Sequence, residues 1–242
     1  MVTAIAGAGT GEAHWLPVLA ALDPPRLALA PPPRRAVVVA PHPDDEVLGV
    51  GGLLALLLAA GTRIEVVAVT DGEASHPGGS LPRNELASLR RAEQARALGV
   101  LGVHTAVRRL GLPDGGSDGL EQPLLEHLTA QPGDWLIGPW RGDGHPDHEA
   151  VGRACARVAT RDGARLLAYP IWAWHWAAPD DHRVPWAAVA RIALPAGILA
   201  LKARAIAEFV TQIHPLDSPD DAPILPRAVL DRFTRSSELV FG

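Results

Sequence analysis

The 242-residue chain is 48% hydrophobic and 20% charged, ordinary values for a soluble globular protein long enough to bury a core. Its net charge of −5 argues against nucleic acid as a main partner, because neutralising phosphates needs a basic face. One cysteine, Cys155, rules out a disulfide framework and a thiolate metal cluster, and Lys202 is the only lysine.

Residues 1–33 end in Pro31-Pro32-Pro33 and read as an N-terminal extension, docked by Trp15 and the leucines around it onto a body that starts at residue 34. The first basic residue is Arg26, so the opening stretch lacks the charged start of a secretory signal. The greasiest stretch, 47–60, is broken by Gly49, Gly51 and Gly52 and is too short to span a bilayer. A cytoplasmic protein with no membrane partner is expected. Residues 36–40 form an apolar run of buried-strand type, followed by a loop and by a helix over 47–60 that Gly61 ends. A second strand spans 63–70, a polar loop 71–82, and an amphipathic helix 84–98. Then come strand 104–110, helix 120–129, strand 135–138, helix 148–160 and strand 165–169. This alternation predicts an α/β fold, a Rossmann-like three-layer sandwich with a mostly parallel central sheet and helices on both faces. Past Pro170 the pattern changes. Residues 172–176 and 187–194 read as extra strands, 197–212 as a closing helix, and the rest as a proline-rich tail. The whole is one domain over 34–242 with a Trp-rich C-terminal embellishment.

In a doubly wound sheet, ligands gather at the carboxyl ends of the strands. Two clusters fall there: Pro41-His42-Pro43-Asp44-Asp45-Glu46 after the first strand, and Asp143-Gly144-His145-Pro146-Asp147-His148 after the fourth. Three N/O ligands define a catalytic metal site, whereas structural zinc takes four and usually cysteine. His42, Asp45 and His148 supply such a triad. Asp44, pointing away from Asp45, is left free as a general base. Taken singly, the Asp-Asp pair and Asp147 are as well read as helix N-caps. Their joint occurrence at equivalent strand ends favours the metal.

These residues resemble the signatures of the PIG-L/LmbE-like N-deacetylase family. His145-Pro146-Asp147-His148 is similar to its second motif. Weaker echoes are Arg90-x-x-Glu93, Gly111-Leu112-Pro113-Asp114-Gly115, and Lys202-x-x-Ala205-Ile206 followed by Thr211-Gln212, where the family usually has Ser-Gln. The resemblance runs from about residue 35 to 212. It implies hydrolysis of an acetamide on an amino sugar or glycoconjugate, with Zn2+ (or Fe2+) on His42, Asp45 and His148. It further implies Asp44 as base, His145 as a cation or acid beside the tetrahedral intermediate, and Asp147 orienting His145. Arg90 and Asp114 match positions that contact the sugar or its aglycone.

Trp140, a few residues before the second motif, is the tryptophan best placed to line the pocket. Trp172, Trp174 and Trp176 at period two share one face if the segment is extended, either as a substrate platform or as packing. An amidase cleaving a larger acyl group is a second reading. A nucleotide-binding module is a third, disfavoured because Gly49-x-Gly51-Gly52 lacks the Gly-x-Gly-x-x-Gly spacing and its turn is acidic. A catalytically dead binding protein is a fourth, disfavoured by the intact Asp44 and His145. The exact sugar and a possible homo-oligomer stay open.

Overall fold

The expected parallel strands form as β1 (Arg35–Ala40), β2 (Arg63–Ala68), β3 (Arg108–Arg109), β4 (Trp135–Pro139) and β5 (Arg165–Tyr169). Between them run helices α1 (Glu12–Leu22, ahead of β1), α2 (Asp45–Ala59), α3 (Arg83–Val100), α4 (Ser117–His127) and α5 (Pro146–Asp162). The computed structural model describes Gly7, residues 9–216 and 222–242; the remainder of the expected extension and tail lies outside the described residues. Among the described residues, no helix is long and apolar enough to cross a membrane.

Strand side chains alternate between two cores, as a sheet covered on both faces requires. Ala36, Val38, Ile64, Val66 and Ile137 face one core, shared with Leu53, Leu57 and Leu98 of α2 and α3. Val37, Val39, Val67 and Leu136 face the other, shared with Leu124 of α4 and Val151, Cys155 and Val158 of α5. The mostly parallel three-layer architecture expected from the alternation is what forms.

The sheet order is β3-β2-β1-β4-β5-β7-β6, and three features of it correct the sequence reading. The third strand shrinks from seven expected residues to Arg108–Arg109, because this edge pairs with β2 only and the chain leaves it at once. The supposed tail holds a strand. β7 (Ser237–Phe241) pairs antiparallel with β6 (Val189–Ala193) and is inserted between β6 and β5. The closing helix is broken into α7 (Ala196–Ile206) and α8 (Val210–Ile213), with a short α9 (Arg227–Leu230) beyond.

The Trp segment is not extended. Residues 173–176 form a helical turn, α6 (Ala173–Trp176), so the three tryptophans do not share a strand face. The cause is distant in sequence: the buried Asp143 carboxylate accepts the backbone N–H groups of Ile171, Trp172 and Ala173 at 2.9–3.0 Å. Trp174 is buried, and its carbonyl accepts from Trp15 Nε1 at 3.0 Å. The fully buried Trp15 thereby fixes α1 to the body, its ring edge-on to Trp174 at 5.1 Å.

Candidate metal centre

The connection from β1 runs to β2 on one side, while β4 lies on the other. Loops leaving β1 and β4 therefore diverge and open a crevice at their carboxyl ends. Loop 41–44 comes from β1, and loop 140–145 comes from β4.

The first loop is shaped by hydrogen bonds to its own acids. The His42 N–H donates to Asp45 Oδ2 at 2.9 Å. Asp44 has φ 138° and ψ −33°, a region that a residue with a side chain adopts only when its surroundings force it. Those surroundings are visible. Its N–H reaches Glu46 Oε2 at 3.3 Å, its carbonyl accepts from Val47 and Leu48, and its carboxylate accepts from Arg90 Nη2 at 3.0 Å. Glu46 is itself held by Gln94 at 2.9 Å. In the second loop, His145 caps α5, its Nδ1 accepting the Asp147 N–H at 3.2 Å, with Pro146 at the first helical position.

His42, Asp45 and His148 come together. His42 Nδ1 lies 3.3 Å from Asp45 Oδ2 and 3.3 Å from His148 Nε2, and the last two are 3.2 Å apart. A tetrahedral site with bonds of about 2.05 Å has edges of about 3.3 Å, so these three atoms sit at the spacing a common ion would impose. The outer nitrogens are anchored as a ligand histidine requires. His148 Nδ1 meets Asp143 Oδ2 at 2.8 Å, and His42 Nε2 meets Asp147 Oδ2 at 3.2 Å and Asp114 Oδ1 at 3.1 Å. Both imidazoles thus turn their other nitrogen inward. His42, His145 and Asp147 form a second, overlapping trio with ligand atoms within 4.8 Å.

The field at the centre favours a cation. Against the opposing effect of burial, Asp114, Asp147 and Asp45 hold His42 well above its ordinary range, and Asp45 and Asp143 push His148 up to about 9. Asp45 is buried too, yet His148 and His42 hold its carboxyl far below the usual carboxylate range. Asp44 differs. Burial lifts it to about 7, a rise that Arg90 moderates and Asp45 reinforces. Burial, with His148 and His42 nearby, presses His145 down to about 3. With Nδ1 accepting from Asp147 N–H, its proton sits on Nε2.

Other expected site residues land in altered places. Asp147 does not orient the His145 ring with its carboxylate; Oδ2 contacts His42 and accepts from Gly115 N–H at 2.9 Å. Arg90, expected at the substrate, is buried and spends its guanidinium on Asp44, the Pro43 carbonyl and the Gly72 carbonyl. Gly72, at φ +67°, is glycine because a Cβ would run into that guanidinium. Asp114 leans on His42, its other oxygen taking the Ala74 N–H at 2.7 Å. Trp140 is half-buried and stacks on Trp176 at 6.4 Å, whose Nε1 donates to the Asp143 carbonyl at 2.7 Å. Asp143 had no expected role. It joins His148 to the Trp segment, and its position five residues before His148 in the acidic loop was the available signal.

A doubly wound sheet with two histidines and a carboxylate converging at its switch point defines a class of α/β proteins whose donor set could hold a metal ion. The chain belongs to the PIG-L family, whose model, described as GlcNAc-PI de-N-acetylase, matches residues 37–159 and so contains both loops. It is 30% identical over 125 residues to a diacetylchitobiose deacetylase of Thermococcus kodakarensis, covering 49% of this chain and 46% of that one. It is 34% identical over 145 residues to a 1D-myo-inositol 2-acetamido-2-deoxy-alpha-D-glucopyranoside deacetylase of Nakamurella multipartita, covering 56% of this chain and 46% of the other. The chain thus spans about half the length of these relatives. Among solved structures, an N,N'-diacetylchitobiose deacetylase from Pyrococcus horikoshii shares the fold, with a TM-score of 0.56 at 21% identity over 81% of this chain and 77% of that one.

Proposed function

We propose that the chain is a metal-dependent N-deacetylase that hydrolyses the acetamide of an N-acetylated amino sugar or related glycoconjugate, through a domain over 34–242 preceded by an N-terminal extension over 1–33. One observation supports the reading most strongly: two inward nitrogens and one carboxylate oxygen at mutual distances of 3.2–3.3 Å, beside a strained carboxyl lifted to about 7. The family and the names of the relatives supply the substrate class.

His42, Asp45 and His148 would hold the ion, Zn2+ by donor type, though Fe2+ suits the same set. A bound ion would supply Lewis acidity to the acyl carbonyl and to the attacking water. Asp44 takes the proton of that water, and its near-neutral pKa suits both taking it and returning it to the leaving amine. His145 donates its Nε2 proton as a hydrogen bond to the carbonyl oxygen while negative charge develops there. Asp147 and Asp114 orient His42, and Asp143 orients His148. Trp140 lines the approach on the β4 side, and Arg90 acts through Asp44.

The test is acetate and amine release from a panel of N-acetylated and longer N-acylated amino sugars, using Zn2+-loaded protein and Asp44→Asn. Release of acetate by the wild type and its loss in the variant is the expected result. No turnover of any member of the panel would overturn the assignment, and preferential release of longer acids would replace acetyl by a larger acyl group.

A further inference from the structure

The stretch Gly49-Val50-Gly51-Gly52 lies inside α2, and the proposed chemistry does not use it. Val50 has φ −141° and ψ 19°, so α2 is two helical pieces joined at a break. Breaks leave backbone groups without their regular helical partners. Here side chains from elsewhere meet them. Lys202 Nζ donates to the Leu48 carbonyl at 2.7 Å, while Glu238 Oε1 accepts from Gly52 N–H at 2.7 Å and Oε2 from Leu53 N–H at 2.8 Å. The Lys202 ammonium and Glu238 carboxylate are 2.7 Å apart and only 2% exposed.

The glycines allow this approach. A Cβ on Gly52 would stand 2.5 Å from Leu194 and 3.1 Å from Glu238 Oε1, and one on Gly49 would stand 2.4 Å from the Tyr169 ring. A buried ion pair is poor evidence of stabilisation, since desolvation offsets the attraction. What this pair does have is a direct line to the site. The residue whose carbonyl Lys202 holds, Leu48, donates its own N–H to the Asp44 carbonyl at 2.8 Å. The held piece of helix begins at Asp45.

We propose that Lys202 of α7 and Glu238 of β7 are positioning residues: by capping the break in α2 they fix the Asp44–Asp45 turn against His42 and His148. The C-terminal strand thus belongs to the site's supporting frame. The inference rests on the reading of Asp45 as a metal ligand.

Co2+ is the probe, because its visible bands report coordination geometry and its affinity can be measured by chelator competition. The double variant Lys202→Met/Glu238→Met removes both charges together, leaving neither uncompensated. Glu238→Gln, which keeps the volume and one acceptor, serves if the double variant does not fold. Leu124→Ala, in the opposite core, is the control for lost stability alone. The double variant should bind Co2+ about tenfold or more weakly with altered bands, and Glu238→Gln less severely so. Leu124→Ala should lower Tm and leave affinity and bands unchanged. Wild-type affinity and bands in the double variant (or in Glu238→Gln, should only that one fold) would overturn the proposal, as would an equal loss in Leu124→Ala. A wild type that binds no Co2+ would instead overturn the metal reading, and this inference with it.

Discussion

Asp44 is held in a backbone conformation its side chain disfavours, by bonds from Arg90, Glu46 and the first turn of α2. Strain of this kind persists only where surrounding contacts impose it. Replacement by Asn keeps those contacts in outline and removes the base, so Asp44→Asn should lower kcat/KM by about 10²–10⁴ with metal content intact. Activity within tenfold of wild type would exclude Asp44 as base. Arg90 lowers the Asp44 pKa from where burial alone would set it. Arg90→Gln should therefore move the acid limb of the pH–rate profile to higher pH, and an unmoved limb would sever the link. Asp143→Asn should weaken metal binding by about 10–100-fold in chelator competition, because the His148 ring loses its anionic partner. The convergence of His42, Asp45 and His148 was legible in the sequence because each lies in a short, acid- and imidazole-rich turn at a strand end. The roles of Asp143, Arg90 and Asp147 were not, because they depend on contacts between segments far apart in the chain.

Among the elements, β1, β2, β4 and β5 read correctly as strands since their carboxyl-terminal halves are buried on both faces and apolar. The Trp segment misled for a reason that local pattern cannot show. Its period-two tryptophans fit a strand, yet three of its backbone N–H groups are taken by one carboxylate from the β4 loop, which bends the chain into a helical turn. The same holds for β7, whose register is set by pairing with Val189–Ala193 rather than by the proline-rich sequence before it. Thr211, a departure from the Ser expected by resemblance, keeps the hydroxyl function: Oγ1 and N–H both donate to Glu93, at 2.7 and 2.8 Å. Close packing of α2 on β5 gives a direct test of the element. Gly49→Ala places a methyl 2.4 Å from Tyr169, whose hydroxyl is tied to the Val39 carbonyl at 2.8 Å. The variant should lose about 1–3 kcal/mol in denaturant unfolding. A stability equal to wild type would show that α2 can shift freely.

For the molecule as a whole, the centre stores charge that an ion would neutralise, and this makes stability depend on pH. Asp44 and Glu46 rise by burial from 3.8 and 4.5 to about 7, and His148 is pushed by Asp45 and Asp143 from 6.5 to about 9. Over those windows the folded chain binds more protons than the unfolded one, so each contribution to stability is lost as pH rises. Metal-free protein should accordingly show a falling Tm from about pH 6.5 to pH 9, above the range in which His145, pressed from 6.5 to about 3, works in the opposite direction. Metal affinity should rise over the same range, as the ion displaces the His148 proton. A metal-free Tm that climbs with pH would contradict the assigned field.

Metal-dependent deacetylation is tested most directly by titrating chelator-stripped protein with Zn2+ while acetate release from an N-acetylated amino sugar is followed. The stripped protein should release no acetate, and release should rise and saturate at one ion per chain, with His148→Ala inactive throughout. Equal release from stripped and loaded protein, or saturation without any turnover, would contradict metal-dependent deacetylation.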